Sequence, residues 1–395
     1  MARSILLLIS CAGMMLGISL GFRQALGLFL TPITVEVGVG RESFALGMGL
    51  MNLVWGLGAP FAGALTDRYG AGWVTVAGAL LYATGLAVLT ISGDGGQLIA
   101  GGVLVGLGLS GTGFTVVLGT VGRIVPEAQR SAALGLVAAG GSIGQFMSLP
   151  YTYSLIAGFG WSLALLALAA SALLMAPLAY GLREKPAPAM DGPRQAMGAA
   201  FREALGVPSY WLLNAGFFVC GFHLAFIGVH LPAFLQDEGF GPGLATVALS
   251  VVGLANIAGS YGFGVLGGYY SKKNLLSLLY LGRAAVIMMF ITLPITDVTV
   301  LLFSGAMGFL WLGTVPLTSG LVAEMFGTRY MAMLFGIVFL GHQFGGFLGA
   351  WLGGVAFDTF GSYDAMWWIS IALGIVSALL HWPIAERRAG MVAAR

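Results

Sequence analysis

Long apolar runs are the feature of this chain that most limits how it can fold. Of its 395 residues, 58% are hydrophobic and only 8% are charged, whereas a soluble domain carries about 25% charged residues. A helix needs about 20 apolar residues to cross a bilayer, and we therefore predict an all-α membrane protein with twelve spans. They cover residues 5–35, 43–66, 73–92, 96–122, 131–157, 161–182, 209–235, 244–270, 274–294, 298–323, 330–356 and 363–384.

One polar stretch divides six runs from six. It extends from Arg183 to Pro208 and contains REKPAPAMDGPR, in which prolines and charges are typical of a flexible linker. The sequence therefore predicts an N-terminal six-helix bundle over residues 1–182, a cytoplasmic linker over 183–208 and a C-terminal six-helix bundle over 209–395.

Positive charges indicate the orientation of the chain. With the N-terminus inside, fourteen of the seventeen Lys and Arg residues fall in cytoplasmic segments, and Arg41 alone falls in an outer loop. Cytoplasmic loops carry the excess of Lys and Arg in membrane proteins, so we expect both termini in the cytoplasm. The two remaining basic residues, Arg23 and Arg283, lie inside spans.

The two halves of the chain share a register of glycines. About one or two matches in ten would arise by chance, but ten glycines recur after a shift of 201 residues without a gap. A shared small-residue packing pattern is one explanation; duplication of a six-helix unit, as in transporters with parallel repeats, is the better one. The pairs are 27/228, 38/239, 40/241, 58/259, 63/264, 119/320, 135/336, 140/341, 144/345 and 160/361.

The loop after the second run, GALTDRYGAG at residues 63–72, resembles the signature loop of the major facilitator superfamily. The matching stretch of the second half, GVLGGYYSKK at 264–273, lacks the Asp-Arg pair. The resemblance implies two pseudo-symmetric six-helix bundles, with Asp67 and Arg68 as a charge relay that latches the cytoplasmic side; a solvated pair is the alternative. It also implies gate contacts between the cytoplasmic ends of the bundles, made by Arg123, Glu127 and Arg130 with Glu324 and Arg329.

Three further stretches resemble a bacterial branch of this superfamily. They are AGGSIGQFMSLP at 139–150, CGFHLAFIGVHLP at 220–232 and FGIVFLGHQFGGFLG at 335–349. The branch is related to monocarboxylate transporters and oxalate:formate exchangers, whose members mostly move small organic anions. The resemblance implies a multi-pass protein of the bacterial cytoplasmic (inner) membrane.

Arg23 is the most informative polar residue of the first run. No acid lies within twelve residues of it on either side, and Glu36 is about 20 Å away along a helix. An ionisable residue at mid-membrane is a functional hypothesis by default, and a guanidinium binds a carboxylate bidentately. We therefore predict that the substrate supplies the missing anion. The alternative is a structural arginine that contacts carbonyls and water in a hydrated cavity.

The resemblance to monocarboxylate transporters bears on two further positions. It places their first-span lysine at Gln24, beside Arg23, and their eighth-span Asp and Arg at Asn256 and Ser260. Neither Asn256 nor Ser260 can carry the same charge, so proton symport by that mechanism is in doubt here. Asn256 remains a candidate for hydrogen bonding to a substrate.

Histidines are the candidates for proton coupling, because their ordinary pKa lies near neutrality. His223 and His230 are seven residues apart and share a helix face, although packing is the alternative for both. A protonated His223 is also a candidate for a second contact to the anion. The resemblance to oxalate:formate exchangers places a substrate-binding position at His342 and Gln343. For Arg283 we favour a structural role, in bonds to carbonyls or polar groups. The remaining candidates for lining the site are Asn52, Gln145, Tyr151 and Trp311.

These observations predict a secondary active transporter of a small organic anion, a mono- or dicarboxylate, that works by alternating access. Coupling is by proton symport or anion exchange. The alternatives are an efflux pump for amphipathic molecules and a sensor that binds without flux. The sequence contains no catalytic triad, metal cluster or nucleotide fingerprint, so we expect no enzyme activity, cofactor or nucleic-acid partner. We expect the partners to be the anion and the lipid bilayer, and the chain to act as a monomer.

Overall fold

The protein is helical throughout the part that the computed structural model describes, which is residues 2–183, 202–327 and 331–386. Eleven segments of this part are long and apolar enough to cross a membrane, and one of them, Ala133–Leu182, has 50 residues. That segment turns at Gly160, where φ is +79°, a backbone conformation that glycine adopts readily. Divided there, it supplies the fifth and sixth spans, and the predicted all-α, twelve-span membrane fold is confirmed.

Most of the spans are single helices. The fifth and sixth lie within Glu127–Ala172, and the sixth continues through Met175–Leu178 and a 3₁₀ turn at Ala179–Leu182. The second, third, seventh, eighth, ninth, eleventh and twelfth spans are Arg41–Tyr69, Ala71–Thr90, Pro208–Asp237, Pro242–Tyr269, Lys272–Thr292, Met331–Phe360 and Asp364–His381.

Three spans are broken. The first consists of Ala2–Ala25, a 3₁₀ turn at Leu26–Phe29 and Leu30–Val37. The fourth and tenth spans are also in two parts. The apolar runs do not reveal these breaks, because the residues on both sides of each break are apolar. The parts are Gly95–Thr112 with Phe114–Ile124 in the fourth span, and Asp297–Phe309 with Thr314–Phe326 in the tenth.

Two hydrophobic clusters form the interior. We call residues 2–183 the N-half and the described residues from 202 onward the C-half. The first cluster comes mostly from the N-half but includes Val229 and Ala350. The second comes mostly from the C-half but includes Leu28 and Leu149. The two halves therefore pack against each other through several spans at once.

Glycines bring helices into direct contact at positions that follow the repeat. A Cβ atom on Gly144 of the fifth span would collide with the backbone of Gly17 in the first. In the C-half, a Cβ atom on Gly345 of the eleventh span would collide with the carbonyl of Phe218 in the seventh. Both pairs are related by 201 residues, so corresponding helices of the two halves cross at corresponding points.

Candidate functional site

Arg23 lies near the middle of the first span, just before its 3₁₀ turn. Its Nε and Nη2 atoms donate to Oδ1 of Asn52 at 3.2 and 2.7 Å. Asn52 in turn donates from Nδ2 to the carbonyl of Met48 at 2.9 Å. The guanidinium carbon also lies 5.4 Å from the ring centre of Trp55, within the range of cation–π attraction. A neutral amide and an aromatic ring of the second span thus hold this cation.

A small cavity lies against Arg23, between the first, second and seventh spans. Its volume of about 20 Å³ has room for about one water molecule, so a carboxylate does not fit without movement of the helices. The polar lining is Arg23, Gln24 and Asn52, and the rest is apolar or glycine: Leu26, Met48, Met51, Leu224, Ala225, Gly228 and Val229.

The charge of Arg23 is not balanced by a carboxylate of the described residues. The ion pairs among those residues are Arg41–Asp237 and Lys272–Glu324. Glu36, the nearest acid in sequence, accepts a hydrogen bond from Nε1 of Trp161 at 2.7 Å. Glu36 therefore has a partner away from Arg23, and Arg23 offers its charge to the cavity.

His342 and Gln343 lie on the eleventh span, close to the second. Nδ1 of His342 is 2.9 Å from Oε1 of Gln343, and both side chains are buried. The ring of Phe339 stacks on His342 with centres 5.7 Å apart and meets Trp55 edge-on at 5.3 Å. This row of rings joins His342 to the surroundings of Arg23. Within the described part of the chain, neither Nε2 of His342 nor Nε2 of Gln343 makes a hydrogen bond by distance and angle, but His342 interacts with the thiol of Cys220.

Three other predicted lining residues lie away from this cavity. Gln145 is buried where Gly253 packs on the fifth span. Tyr151 is 43% exposed, and its hydroxyl lies 2.9 Å from Oγ of Ser171. Trp311 is buried in the core of the C-half. The structure does not bring these residues to Arg23.

Asn256 is fully buried, and its amide is already occupied. Nδ2 donates to Oγ of Ser142 in the fifth span at 3.3 Å, and Oδ1 accepts from the backbone N–H of Leu312 at 3.0 Å. Oδ1 also accepts from Ser260 at 3.0 Å. Asn256 thus links the fifth span of the N-half to the break of the tenth span, and its Oδ1 is fully used by protein donors.

The seventh-span histidines bond to backbone carbonyls of neighbouring spans. Nε2 of His223 lies 2.8 Å from the carbonyl of Ser370, and Nε2 of His230 lies 2.7 Å from the carbonyl of Ala350. Nδ1 of His230 is 3.2 Å from the hydroxyl of Tyr363. Both histidines are buried and neither lines the cavity beside Arg23. Both ring nitrogens of His230 have partners, whereas Nδ1 of His223 has none among the described residues.

Arg283 binds the break of the tenth span. Its Nε and Nη2 donate to the carbonyl of Leu310 at 3.0 and 2.7 Å, and Nη2 also donates to the carbonyl of Trp311. These carbonyls end a helix and lack partners within it. In the N-half, Tyr82 occupies the position 201 residues earlier and donates to the carbonyl of Ser19 at 2.8 Å. The structure agrees with the predicted structural role of Arg283.

Comparison with known proteins decides the family. Residues 5–315 match the family described as Major Facilitator Superfamily. The chain belongs to this superfamily. The resemblance inferred from the signature loop is confirmed, and the protein is a multi-pass membrane transporter of the superfamily.

Relatives of the transporter include proteins named for monocarboxylates. It is 27% identical over 382 residues to Monocarboxylate transporter 13 of Rattus norvegicus, and the alignment covers 92% of this chain and 86% of the relative. It is 25% identical over 348 residues to the uncharacterized MFS-type transporter YhjX of Escherichia coli (strain K12), over 83% of this chain and 82% of that one. These relatives support the resemblance to the monocarboxylate branch.

A solved structure shares the fold. A bacterial homolog of the human lysosomal transporter Spinster, in an inward-facing and unoccupied conformation, matches with a TM-score of 0.72 and 14% identity. The match covers 95% of this chain and 93% of the other. It agrees with the predicted twelve-helix fold of the superfamily.

The cytoplasmic gate expected for this superfamily is described only in part. Arg68 is exposed, with its guanidinium carbon 5.2 Å from the ring centre of Tyr69, and Arg123 donates to Oγ1 of Thr120 at 3.2 Å. Glu324 pairs with Lys272 inside the C-half rather than with the N-half. The side chains of Asp67, Glu127 and Arg130 are not among those described, and Arg329 lies outside the described residues.

The sequence did not predict one polar cluster of the transporter. Arg41 binds Asp237 and Tyr363, which are 196 and 322 residues away along the chain. The one feature of the sequence that could have indicated this cluster is that Arg41 is the single basic residue of the predicted outer loops.

Proposed function

We propose that this protein is a secondary active transporter of a small organic anion, a mono- or dicarboxylate, across the bacterial cytoplasmic membrane. The observation that carries the proposal is Arg23: a cation without a described carboxylate partner, at a cavity lined by residues of both halves. The relatives named as monocarboxylate transporters support the same substrate class.

The cavity indicates how a carboxylate would bind. Arg23 presently donates from two nitrogen atoms to one amide oxygen of Asn52, and a carboxylate offers two oxygens in the bidentate geometry that guanidinium prefers. The anion would displace Oδ1 of Asn52, whose amide, with that of Gln24, remains close enough to bond it. The single cation and the apolar walls, including Met48 and Met51, favour a substrate with one carboxylate and little other polarity.

The size of the cavity supports alternating access. A space for one water molecule must enlarge before a carboxylate enters, and the first and seventh spans belong to different halves. We infer that the bundles predicted at residues 1–182 and 209–395 move relative to each other about this site, with both termini in the cytoplasm. We also propose that the protein functions as a monomer.

Coupling has two candidate routes. Anion exchange needs no protonatable group beside Arg23, and the polar lining of the cavity contains no acid or histidine. Proton symport needs one, and His342 is placed best because Phe339 and Trp55 connect its ring to the surroundings of Arg23. His223 and His230 remain candidates, although Nε2 of each already contacts a backbone carbonyl and neither ring lines the cavity.

Uptake by proteoliposomes tests the substrate class. We expect Arg23→Ala to lower uptake of labelled monocarboxylates 10- to 150-fold, since a hydrogen bond to a charged group contributes about 1.5–3 kcal/mol. The matched control is Arg183→Ala, which removes an exposed cytoplasmic guanidinium stacked on Tyr180. Carboxylate uptake that survives Arg23→Ala unchanged would contradict the proposal.

The alternative function, an efflux pump, predicts a different result in the same proteoliposomes. The methionines at the cavity, Met48 and Met51, are flexible apolar side chains that suit varied ligands. An efflux pump would extrude amphipathic cations at equal rates in the wild type and Arg23→Ala, and carboxylates would not compete. A sensor would bind carboxylate in a thermal-shift assay with no flux in either protein.

A further inference from the structure

Arg41 joins the two halves at the predicted outer face. It is the first residue of the second span, and its Nη1 and Nη2 donate to the two carboxylate oxygens of Asp237, at the end of the seventh span, at 2.6 and 2.7 Å. Nη1 also donates to the hydroxyl of Tyr363 at 2.9 Å, and the guanidinium carbon lies 3.6 Å from the ring centre of Phe357. A bidentate ion pair and an aromatic contact thus hold one side chain.

Asp358 caps a helix that belongs to the other half. Its two carboxylate oxygens accept from the backbone N–H groups of Arg41 at 3.0 Å and of Glu42 at 2.8 Å. These amides begin the second span, and the first amides of a helix have no partner within it. The residue at the N-cap position is Gly40, which has no side chain to serve them. A carboxylate at a helix N-terminus is favourable, and here the eleventh span supplies it.

The remaining groups at this corner strengthen the contact. Nε1 of Trp351 donates to Oε1 of Glu42 at 3.2 Å. Tyr363 is only 3% exposed. Its phenol, neutral at physiological pH like that of any tyrosine, takes a hydrogen bond from Arg41 without adding charge. Arg41 is the single cation that these groups surround.

The corner related by the repeat lacks the arginine and the capping carboxylate, although Glu36 occupies the position that matches Asp237. A shift of 201 residues carries Gly40 and Arg41 onto Gly241 and Pro242, and the position matching Asp358 is Ala157. Gly40 and Gly241 both precede helices with the same backbone conformation, φ −64° and −68°. A Cβ atom on Gly40 would collide with the carboxylate of Asp358, whereas one on Gly241 would meet nothing within 4 Å.

We propose that Arg41, Asp237 and Asp358 form a one-sided outer latch. It holds the second span of the N-half against the seventh and eleventh spans of the C-half while the predicted outer face is closed. Opening to that face breaks the ion pair and uncaps the second span, and the corner at Gly241 contributes no such hold. The latch goes beyond the proposed substrate, because it acts whether or not Arg23 binds a carboxylate.

Gly40→Ala and Gly241→Ala form a matched pair that tests the latch. Each adds one methyl group at a helix N-cap, and only Gly40→Ala disturbs Asp358. The reporter is Val229→Cys at the cavity, in a background with Cys11 and Cys220 replaced by Ala. Its labelling by a membrane-impermeant maleimide from the outer face of oriented proteoliposomes, without substrate, measures outward opening.

We expect Gly40→Ala to raise the labelling rate at least fivefold and Gly241→Ala to leave it within twofold. Asp358→Asn, which removes the charge without adding volume, should also raise the labelling rate. This variant replaces Gly40→Ala in the test if Gly40→Ala does not fold. Equal rates in Asp358→Asn and the parent, or an equal rise in both glycine variants, would overturn the latch. Neither result depends on carboxylate transport, which Arg23→Ala tests separately.

Discussion

Arg283→Met is the substitution whose effect follows most directly from the structure. Arg283 is fully buried, and its guanidinium donates to the carbonyls of Leu310 and Trp311 at the break of the tenth span. Methionine fills similar space but donates no hydrogen bond. Two buried carbonyls at a helix end then lose their side-chain donor.

The cost can be estimated from these contacts. A buried acceptor left without its partner costs about 1–3 kcal/mol, so two such carbonyls cost about 2–6 kcal/mol. Burying the guanidinium charge is itself unfavourable, and methionine removes that penalty, so we expect the lower part of the range, about 2–3 kcal/mol. At about 2 °C for each kcal/mol in a large domain, the melting temperature should fall by about 4–6 °C.

The measurement is the melting temperature of purified protein in detergent, followed by intrinsic fluorescence. Tyr82→Phe is the matched control, since Tyr82 occupies the equivalent position of the N-half and donates one bond, to the carbonyl of Ser19. Loss of one neutral bond should cost about 1 kcal/mol, or about 2 °C. A melting temperature of Arg283→Met equal to or above that of the wild type would refute the reasoning.

Two further predictions concern packing and coupling. Gly144→Ala should destabilise the protein by about 1–3 kcal/mol, because its Cβ would collide with Gly17. Gly158→Ala, whose Cβ would meet nothing within 4 Å, should melt at the wild-type temperature. Equal melting temperatures of the two variants would contradict the close crossing of the first and fifth spans. His342→Gln should change the pH profile of uptake, because Phe339 and Trp55 connect the ring of His342 to the surroundings of Arg23. His230→Gln should lower only protein yield, and the reverse pattern would assign coupling to the seventh span.

Local properties of the sequence were enough to predict the spans. Twenty apolar residues can satisfy their backbone groups in a bilayer only as a helix, so the length of each run identified it. The glycine register at 201 residues indicated corresponding helix crossings, and Gly17–Gly144 and Gly345–Phe218 lie at such points. The isolation of Arg23 from acids was also local, since a helix separates residues by a known rise.

Contacts between spans could not be predicted in the same way. The sequence singled out Asn256 as a candidate for bonding a substrate, but the rotation of its helix points its amide at Ser142 and Leu312. The breaks of the fourth and tenth spans are invisible to hydropathy, and the partners of Arg283 there are backbone carbonyls that any residue carries.

The sequence by itself determined that this chain crosses the membrane twelve times and carries a lone arginine in its first span. Only the tertiary structure decided what surrounds that arginine, which is Asn52, Trp55 and a cavity for about one water molecule. Only the tertiary structure joined Arg41 to Asp237, 196 residues apart. The physical reason is that apolar length is a property of consecutive residues, whereas a bond between helices depends on how each one rotates and packs.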